Sequence, residues 1–316
     1  MGMKKLYKAF SLKSGKVSKD MKVMTQEELR QLHAVLLMIM DDIMTVCDEE
    51  KLVCLLGGGS ALGAIRHHGF IPWDDDIDIN MPRDSFEKFV PAFHKKFGDK
   101  YWVHTPAEHP EYGTLVTKVR LKGTKLKTNG SIINDSEAGI FVDVFVIENV
   151  PDSKILRALQ GSAATVSKAC CSCRKFYRDR KDVLKSMGEE KSPSMTTRIR
   201  LVLGFLCSVM SVEKWTVLTD KIFKMCKNRK TKLVNIPSGR WHYFSSYHIR
   251  KDFCRTHRVP FEGRMYPICN GIDDYMKLLY GDTYMQLPPE EKREIHTCWE
   301  FDFGQYADLY KREESR

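Results

Sequence analysis

The sequence has no apolar stretch of the roughly 18–20 residues that would cross a bilayer as a helix. Its longest candidate, LVLGFLCSVMSV from Leu201 to Val212, is 12 residues. That length suits a buried helix or one lying on a membrane surface. Cysteine is sparse, 10 in 316 residues, which is far below the density of disulfide-stapled scaffolds. The basic opening MGMKKLYKAFSLKSGK has no apolar run behind it, which argues against a secretory signal. These features point to a reducing, cytosolic protein with free thiols. No internal repeat or low-complexity segment is present. With 42% hydrophobic and 29% charged residues, disordered, collagenous and long coiled-coil classes are excluded. A chain this long buries about three quarters of its unfolded surface and needs no metal or disulfide staple to fold.

What is abundant is positive charge, and it is uneven. The chain carries 51 Lys+Arg against 41 Asp+Glu, a formal net charge of +10. Residues 168–258 hold 22 Lys/Arg against 7 Asp/Glu, so the remainder is slightly acidic. A basic region of this kind attracts phosphates, nucleic acid or anionic lipid, or is simply a solvated face.

Residues 25–50 predict a long helix. Thr25 and Glu28 have capping-box spacing, and Leu29, Leu32, Leu36, Ile39, Ile43 and Val46 form one apolar face. LVCLLGGGS reads as a buried strand entering a tight turn, and SALGAIRHHG as a short helix capped by Ser60 and stopped by Gly69. IPWDDDIDINMP reads as a strand with an apolar and an acidic face. RDSFEKFVPAFHKKFG reads as a helix kinked or broken at Pro91. YWVHT, GTLVTKVRL and GIFVDVFVI read as strands, 153–233 as helical, 257–270 as a hairpin around Glu262-Gly263, and the segment from Gly271 as a helix followed by turns. The expected class is mixed α/β (α+β). Residues 25–150 form a catalytic core, 151–256 a basic helical insertion, and 257–316 a segment packing back on the core.

The chemistry concentrates between Gly57 and Ile79, GGGSALGAIRHHGFIPWDDDIDI. Asp74, Asp75, Asp76 and Asp78 lie within five positions, which is costly unless a cation or strong donors neutralise them. Alternation on a strand puts Asp76 and Asp78 on one face, as two hard oxygen ligands suited to Mg2+ or Mn2+. Upstream, Gly57, Gly58 and Gly59 let backbone N–H groups approach a phosphate, and Ser60 adds a hydroxyl at a helix start. Asp143, a lone acid in an apolar strand, is the best candidate to complete a three-carboxylate metal set. A phosphate cradle beside paired carboxylates is what phosphoryl transfer needs. Lys118 and Arg120 alternate on a strand and are placed to face donor phosphates. Cys170, Cys171 and Cys173, and Cys254 with His257, lack a second C-x-x-C half and read as thiols rather than a zinc site. His67 and His68 read as polar loop residues or acid/base groups, and Trp73 as packing beside the site.

This stretch resembles the nucleotidyltransferase fold, and more closely the LicD family of phosphorylcholine transferases and fukutin-related proteins. That family carries G-G-[ST]-x-L-G-x-x-R-x-x-x-x-I-P-W-D-x-D-x-D. YGDTYMQLPPEEKREIH is similar to the family's C-terminal Tyr-Gly-Asp, Pro-Pro and His pattern. The resemblance covers roughly 30–150 and 257–296. It implies a nucleotidyltransferase-like mixed sheet and metal binding by Asp76 and Asp78 with Asp143 as third acid, either a ligand or the base that takes the proton from the attacking hydroxyl. It also implies donor phosphates on Gly58, Gly59 and Ser60, and Asp74 ordering the loop behind them. Arg66 would pair with a phosphate or with the acidic strand. The activity implied is metal-dependent transfer of a phospho-alcohol, most of all phosphorylcholine, from CDP-choline or another CDP-alcohol. The acceptor would be a glycan precursor such as lipopolysaccharide or teichoic acid, lipid-linked at the inner membrane face. Two rivals remain: nucleotidyl transfer to a small molecule or RNA, and a non-catalytic protein using its basic region on nucleic acid or lipid.

Overall fold

The computed structural model describes residues 22–128, 137–189, 192–240, 243–293 and 297–310. The first helix, α1 (Gln26–Glu49), starts with the expected capping box. Thr25 N–H donates to Glu28 Oε2 at 2.7 Å, and Glu28 N–H donates to Thr25 Oγ1 at 3.2 Å. Its apolar stripe is fully buried from Leu32 to Val46, because the three- and four-residue spacing keeps one face on the sheet.

A mixed sheet forms the centre, with strand order β1 (Leu55–Leu56), β2 (Asp78–Pro82), β6 (Phe141–Val150), β4 (Thr117–Leu121) and β3 (Tyr101–His104). Only β2 and β6 run parallel among the pairs in this order; the rest are antiparallel. Strand β5 (Lys125–Thr128) lies off this sheet and pairs with the later strand at Cys298–Asp302. Helix α1 and α3 (Arg83–Phe97) pack together against β6. Helix α3 runs through Pro91 without a break, its capping proline at Pro82 and its apolar face Phe86, Phe89, Val90 and Phe93 buried. Packing of three buried phenylalanines outweighs the one hydrogen bond that Pro91 removes.

Between β1 and β2 lies α2 (Gly58–His67). Its N-cap is Gly57 rather than Ser60, and it ends at His68 in the left-handed region (φ 57°), one residue before the expected Gly69. Ser60 sits inside the first turn because its hydroxyl is engaged elsewhere, as described below. The insertion contributes α4 (Lys154–Arg178), α5 (Arg180–Ser186), α6 (Met195–Leu206) and α7 (Val212–Phe223), with α6 and α7 packed on α4. It then returns to the sheet through β7 (Leu233–Asn235) and β8 (His248–Ile249), which extend the far half of β6. A buried ion cluster ties insertion to core: Arg83 on α3 pairs with Glu148 on β6 and, at 2.9 Å, with Asp220 on α7. After a short helix, α8 (Arg250–Phe253), the hairpin β9 (Thr256–Phe261) and β10 (Arg264–Cys269) turns at Glu262 and Gly263, both at positive φ. Helix α9 (Ile272–Tyr280) follows, then β11 (Cys298–Asp302) and a 3-10 turn at Gly304–Tyr306.

Candidate active site

Register places the predicted acids. In the parallel pair β2–β6, Asp78 is the partner of Asp143, so the two side chains leave the same face of neighbouring strands. On the other side of β6, Lys118 is the antiparallel partner of Asp143. Its Nζ lies 2.6 Å from Asp143 Oδ1 and 3.5 Å from the centre of the Phe141 ring. The β2 strand begins at Asp78, so Asp76 lies on the approach to it, with Ile77 between them fully buried.

Oxygens of Asp74, Asp75 and Asp76 lie within 4.8 Å of one another, and among the described residues this is the one grouping of three side chains able to hold a metal at that spacing; the expected set of Asp76, Asp78 and Asp143 is not gathered as tightly. Desolvation, then the like charges of Asp78, Asp74, Asp75 and Asp143, push the Asp76 carboxyl well above the usual carboxylate range. A hard-oxygen cluster carrying this much like charge fits a divalent cation such as Mg2+ or Mn2+. The cysteines form no such grouping among the described residues. Cys171 and Cys173 are buried, and Cys171 Sγ meets Thr216 Oγ1 at 3.5 Å.

The glycines make room for these acids. A Cβ on Gly58, whose φ is +43°, would sit 2.7 Å from Asp78 Oδ2, and one on Gly59 would sit 2.6 Å from Asp74 Oδ2. Both carboxylates therefore lie against the first turn of α2, where the helix dipole favours negative charge. The Gly58 N–H donates to the Tyr275 hydroxyl at 3.0 Å, and Ser60 Oγ accepts the Asp78 N–H at 2.9 Å. Gly58 and Ser60 thus hold the acidic strand and α9 in place, rather than pointing unengaged into the cleft. The Asp74 loop is pinned from behind: His33 Nε2 donates to the Asp74 carbonyl at 2.7 Å while its ring stacks on Phe70.

A cavity of about 830 Å³ opens over this face. Gly58, Gly59, Arg66, Trp73, Asp74, Asp76 and Asp78 line it, joined by residues the sequence reading did not single out: Asn80, Arg240, Ser246, His248, Tyr275, Tyr280 and Arg293. Lys118, Arg120, Ser60 and Asp143 are not among its lining residues. Arg120 is buried, with Nη1 donating to the Gly139 carbonyl at 3.2 Å and its guanidinium over Phe141. Arg66 donates through Nη1 to the carbonyls of Tyr284 (2.9 Å) and Gln286 (3.3 Å), fastening α2 to the C-terminal segment. The Trp73 ring already carries a cation, with the Arg293 guanidinium 4.5 Å above it. His67 accepts from Arg66 Nε, and His68 caps α2, its carbonyl accepting from Glu262 N–H.

The tyrosines of α9 complete the wall. Tyr275 is buried and accepts from both Gly58 N–H and Asn80 Nδ2, and burial pushes its phenol up to about 12. The Tyr280 hydroxyl lies 4.0 Å from the place a Gly59 Cβ would take, and burial with the nearby acids raises it too. Tyr280 lies in the C-terminal pattern quoted above, so its signal was in the sequence. Arg240, Ser246 and His248 sit in a stretch with no motif. His296 of that pattern lies outside the described residues.

Comparisons with known proteins point to a family. The family model described as LicD/FKTN/FKRP, nucleotidyltransferase domain, matches residues 51–154, the segment that holds the glycine turn and all of the acids. The lipopolysaccharide cholinephosphotransferase LicD of Haemophilus influenzae is 30% identical over 270 residues, 85% of this chain and 95% of that protein. An uncharacterised protein of Rickettsia typhi is 33% identical over 58 residues, 17% of this chain and 19% of that protein. With the family model on the acidic core and a relative at this identity over most of both chains, the chain belongs to the LicD family.

Proposed function

We propose that the protein transfers a phospho-alcohol, first of all phosphorylcholine, from CDP-choline or another CDP-alcohol to a sugar hydroxyl of a cell-surface glycan precursor, releasing CMP. The observation that carries this reading is one cavity lined by Asp74, Asp76 and Asp78 together with Arg66, Arg240 and Arg293. Its volume is in the range of small-molecule sites. The Haemophilus influenzae relative, named a lipopolysaccharide cholinephosphotransferase, supports a choline-phosphate donor and a glycan acceptor.

In this reading Asp76 and Asp78 would hold Mg2+ or Mn2+, with Asp143 as third acid, and the bound metal would supply charge neutralisation for the donor diphosphate. The chain's own groups do the rest. The first turn of α2 and the cavity arginines favour the anionic donor, and the C-terminal wall keeps water from its phosphorus. The acceptor oxygen bonds to the phosphorus bearing the alcohol, and the bond from that phosphorus to the oxygen of CMP breaks. The acceptor proton passes to a site carboxylate, with Asp143 or Asp76 as the base. Positioning and charge neutralisation supply most of such a rate enhancement. A lipid-linked acceptor would place the enzyme at the cytoplasmic face of the inner membrane, with no role for nucleic acid.

The test uses CDP-choline labelled separately in the choline and in the cytidine. Choline label in the glycan with free CMP supports the proposal. Cytidine label in the product would mean nucleotidyl transfer instead. A thermal-shift series over CDP-choline, CDP-ribitol and CDP-glycerol ranks the donor head groups.

A further inference from the structure

Two helices of the insertion are built inside out. On α6 the inward face is Thr197, Arg200 and Gly204, while Met195, Ile199, Val202, Phe205, Leu206 and, just beyond its end, Val209 are 49–82% exposed. Arg200 is buried with its guanidinium over the Phe176 ring and Nη2 on Ser172 Oγ, so the polar side of this helix is turned into the protein. A helix facing water shows the opposite arrangement.

Helix α4 repeats the pattern. Ile155, Leu156, Leu159 and Val166 on its outer face are 58–74% exposed. From Ala158 to Cys173 its one charged residue is Lys168, and that ammonium points inward to the carbonyls of Pro237, Ser238 and Gly239.

The two apolar stripes join. Gly204 of α6 lies so close to α4 that a Cβ there would meet the Cys173 carbonyl at 2.3 Å. Cys170, one turn beyond Val166, faces Cys207 beside Leu206, and burial with that neighbouring thiol pushes its own thiol up to about 12. The result is one apolar surface spread over two helices, larger than scattered exposed side chains on a monomer.

Charge tells what covers it. Residues 154–232 hold 19 Lys+Arg against 6 Asp+Glu. Exposed Lys154 and Arg198 stand next to Ile155 and Ile199 in the chain, and Lys181, Lys214 and Lys221 are exposed on the other insertion helices. A second copy of this chain docked face to face would oppose the same basic residues to themselves. An anionic bilayer matches both parts, headgroups to the basic rim and acyl chains to the apolar stripe. Among the described residues no single helix is long and apolar enough to cross a membrane, and α6 with α7 is bent by 85°.

We propose that the outer face of α4 and α6 is a membrane-docking surface that seats this protein on anionic phospholipid. The surface is coupled to the cavity, because Lys168 on the inner side of α4 holds the 237–239 carbonyls and Gly239 lines the cavity wall. Docking through α4 thus fixes the wall of the site relative to the bilayer plane. The inference does not depend on the transferase chemistry, and its test involves neither donor nor acceptor.

The experiment is flotation of the full chain with vesicles of phosphatidylcholine alone and of phosphatidylcholine with phosphatidylglycerol. Binding is expected to the mixed vesicles, falling steeply with added salt and weak on phosphatidylcholine alone. Val202→Glu with Phe205→Glu should lower the bound fraction at least about tenfold at an unchanged melting temperature. Leu159→Glu with Val166→Glu, on the other helix, should do the same. Wild-type failure to float with either vesicle overturns the proposal. So does binding that both double variants retain. A vesicle-free dimer that these variants dissolve, seen by analytical ultracentrifugation, assigns the face to a second copy and overturns it as well.

Discussion

Lys118 Nζ lies 2.6 Å from Asp143 Oδ1, and on the far side of the same strand Asp78 stands in register with that aspartate. One acid is thus shared between a lysine on β4 and the acidic approach of β2. Both side chains of the pair are 17% exposed, so the ion pair is largely shielded from water. Burial holds the Lys118 ammonium below its ordinary value, and Asp143 offsets only part of that.

That arrangement makes Lys118 the counter-charge of Asp143 when no cation is bound. Lys118→Met should destabilise the chain in EDTA by about 1–3 kcal/mol, because a desolvated carboxylate loses its partner. Added Mg2+ should then raise the melting temperature of the variant more than that of the wild type. Equal responses to Mg2+ would mean that Asp143 does not sense the site.

Asp76 carries the opposite sign. Its folded carboxyl is raised above the ordinary 3.8, so it favours the protonated form, and its contribution to stability is lost as pH rises through the folded value. Asp76→Asn removes that burden. At neutral pH in EDTA the variant should be more stable by about 1 kcal/mol or more, roughly 2–4 °C in melting temperature. In Mg2+ the order should reverse, since the wild type gains a ligand and the variant gains much less. Calorimetry with and without the ion reads both.

Arg83 holds two buried acids, Glu148 and Asp220, and burial raises the Glu148 carboxyl while Arg83 pulls it down. Arg83→Met leaves both uncompensated. It should cost about 3–5 kcal/mol in urea unfolding, with Glu148→Gln in the same background recovering part of the loss. A loss under 1 kcal/mol would show that the core and insertion are not joined there.

His248 is stacked on Phe253 at 4.0 Å and buried, which pushes its imidazole down to about 4 from 6.5. The unfolded chain binds this proton between those values and the folded chain does not. Stability therefore falls as pH drops from 6.5 toward 4, by up to about 3 kcal/mol. His248→Phe should flatten that limb of the stability curve. An unchanged slope would place the acid sensitivity on other groups.

The acidic core was legible because its signals are local. The Thr25–Glu28 box, the apolar stripe of α1, the Gly-Gly-Ser turn and the alternation of Asp78 with Ile77 and Ile79 each act within a few residues. Asp143 could be named as a partner because an acid in the run GIFVDVFVI needs a reason, and the parallel register supplies it. Lys118 was legible as a cation near the acids, but its choice of Asp143 over the cleft is set by cross-strand pairing, which no single strand reveals. Arg240, Ser246 and His248 reach the cavity because β7 and β8 return to β6, pairing Asn149 with Val234 across a long stretch of chain that leaves no periodic trace. The run from Leu201 could be core or surface by length alone. Only the inward turn of Arg200 and Gly204 decides which face meets water.

The most direct measurement is CMP release from CDP-choline by the wild type and by Asp76→Asn and Asp78→Asn, each with and without Mg2+. The account predicts Mg2+-dependent release by the wild type and a loss of at least about a thousandfold in either variant. Full release by both variants, or release indifferent to the ion, would contradict it.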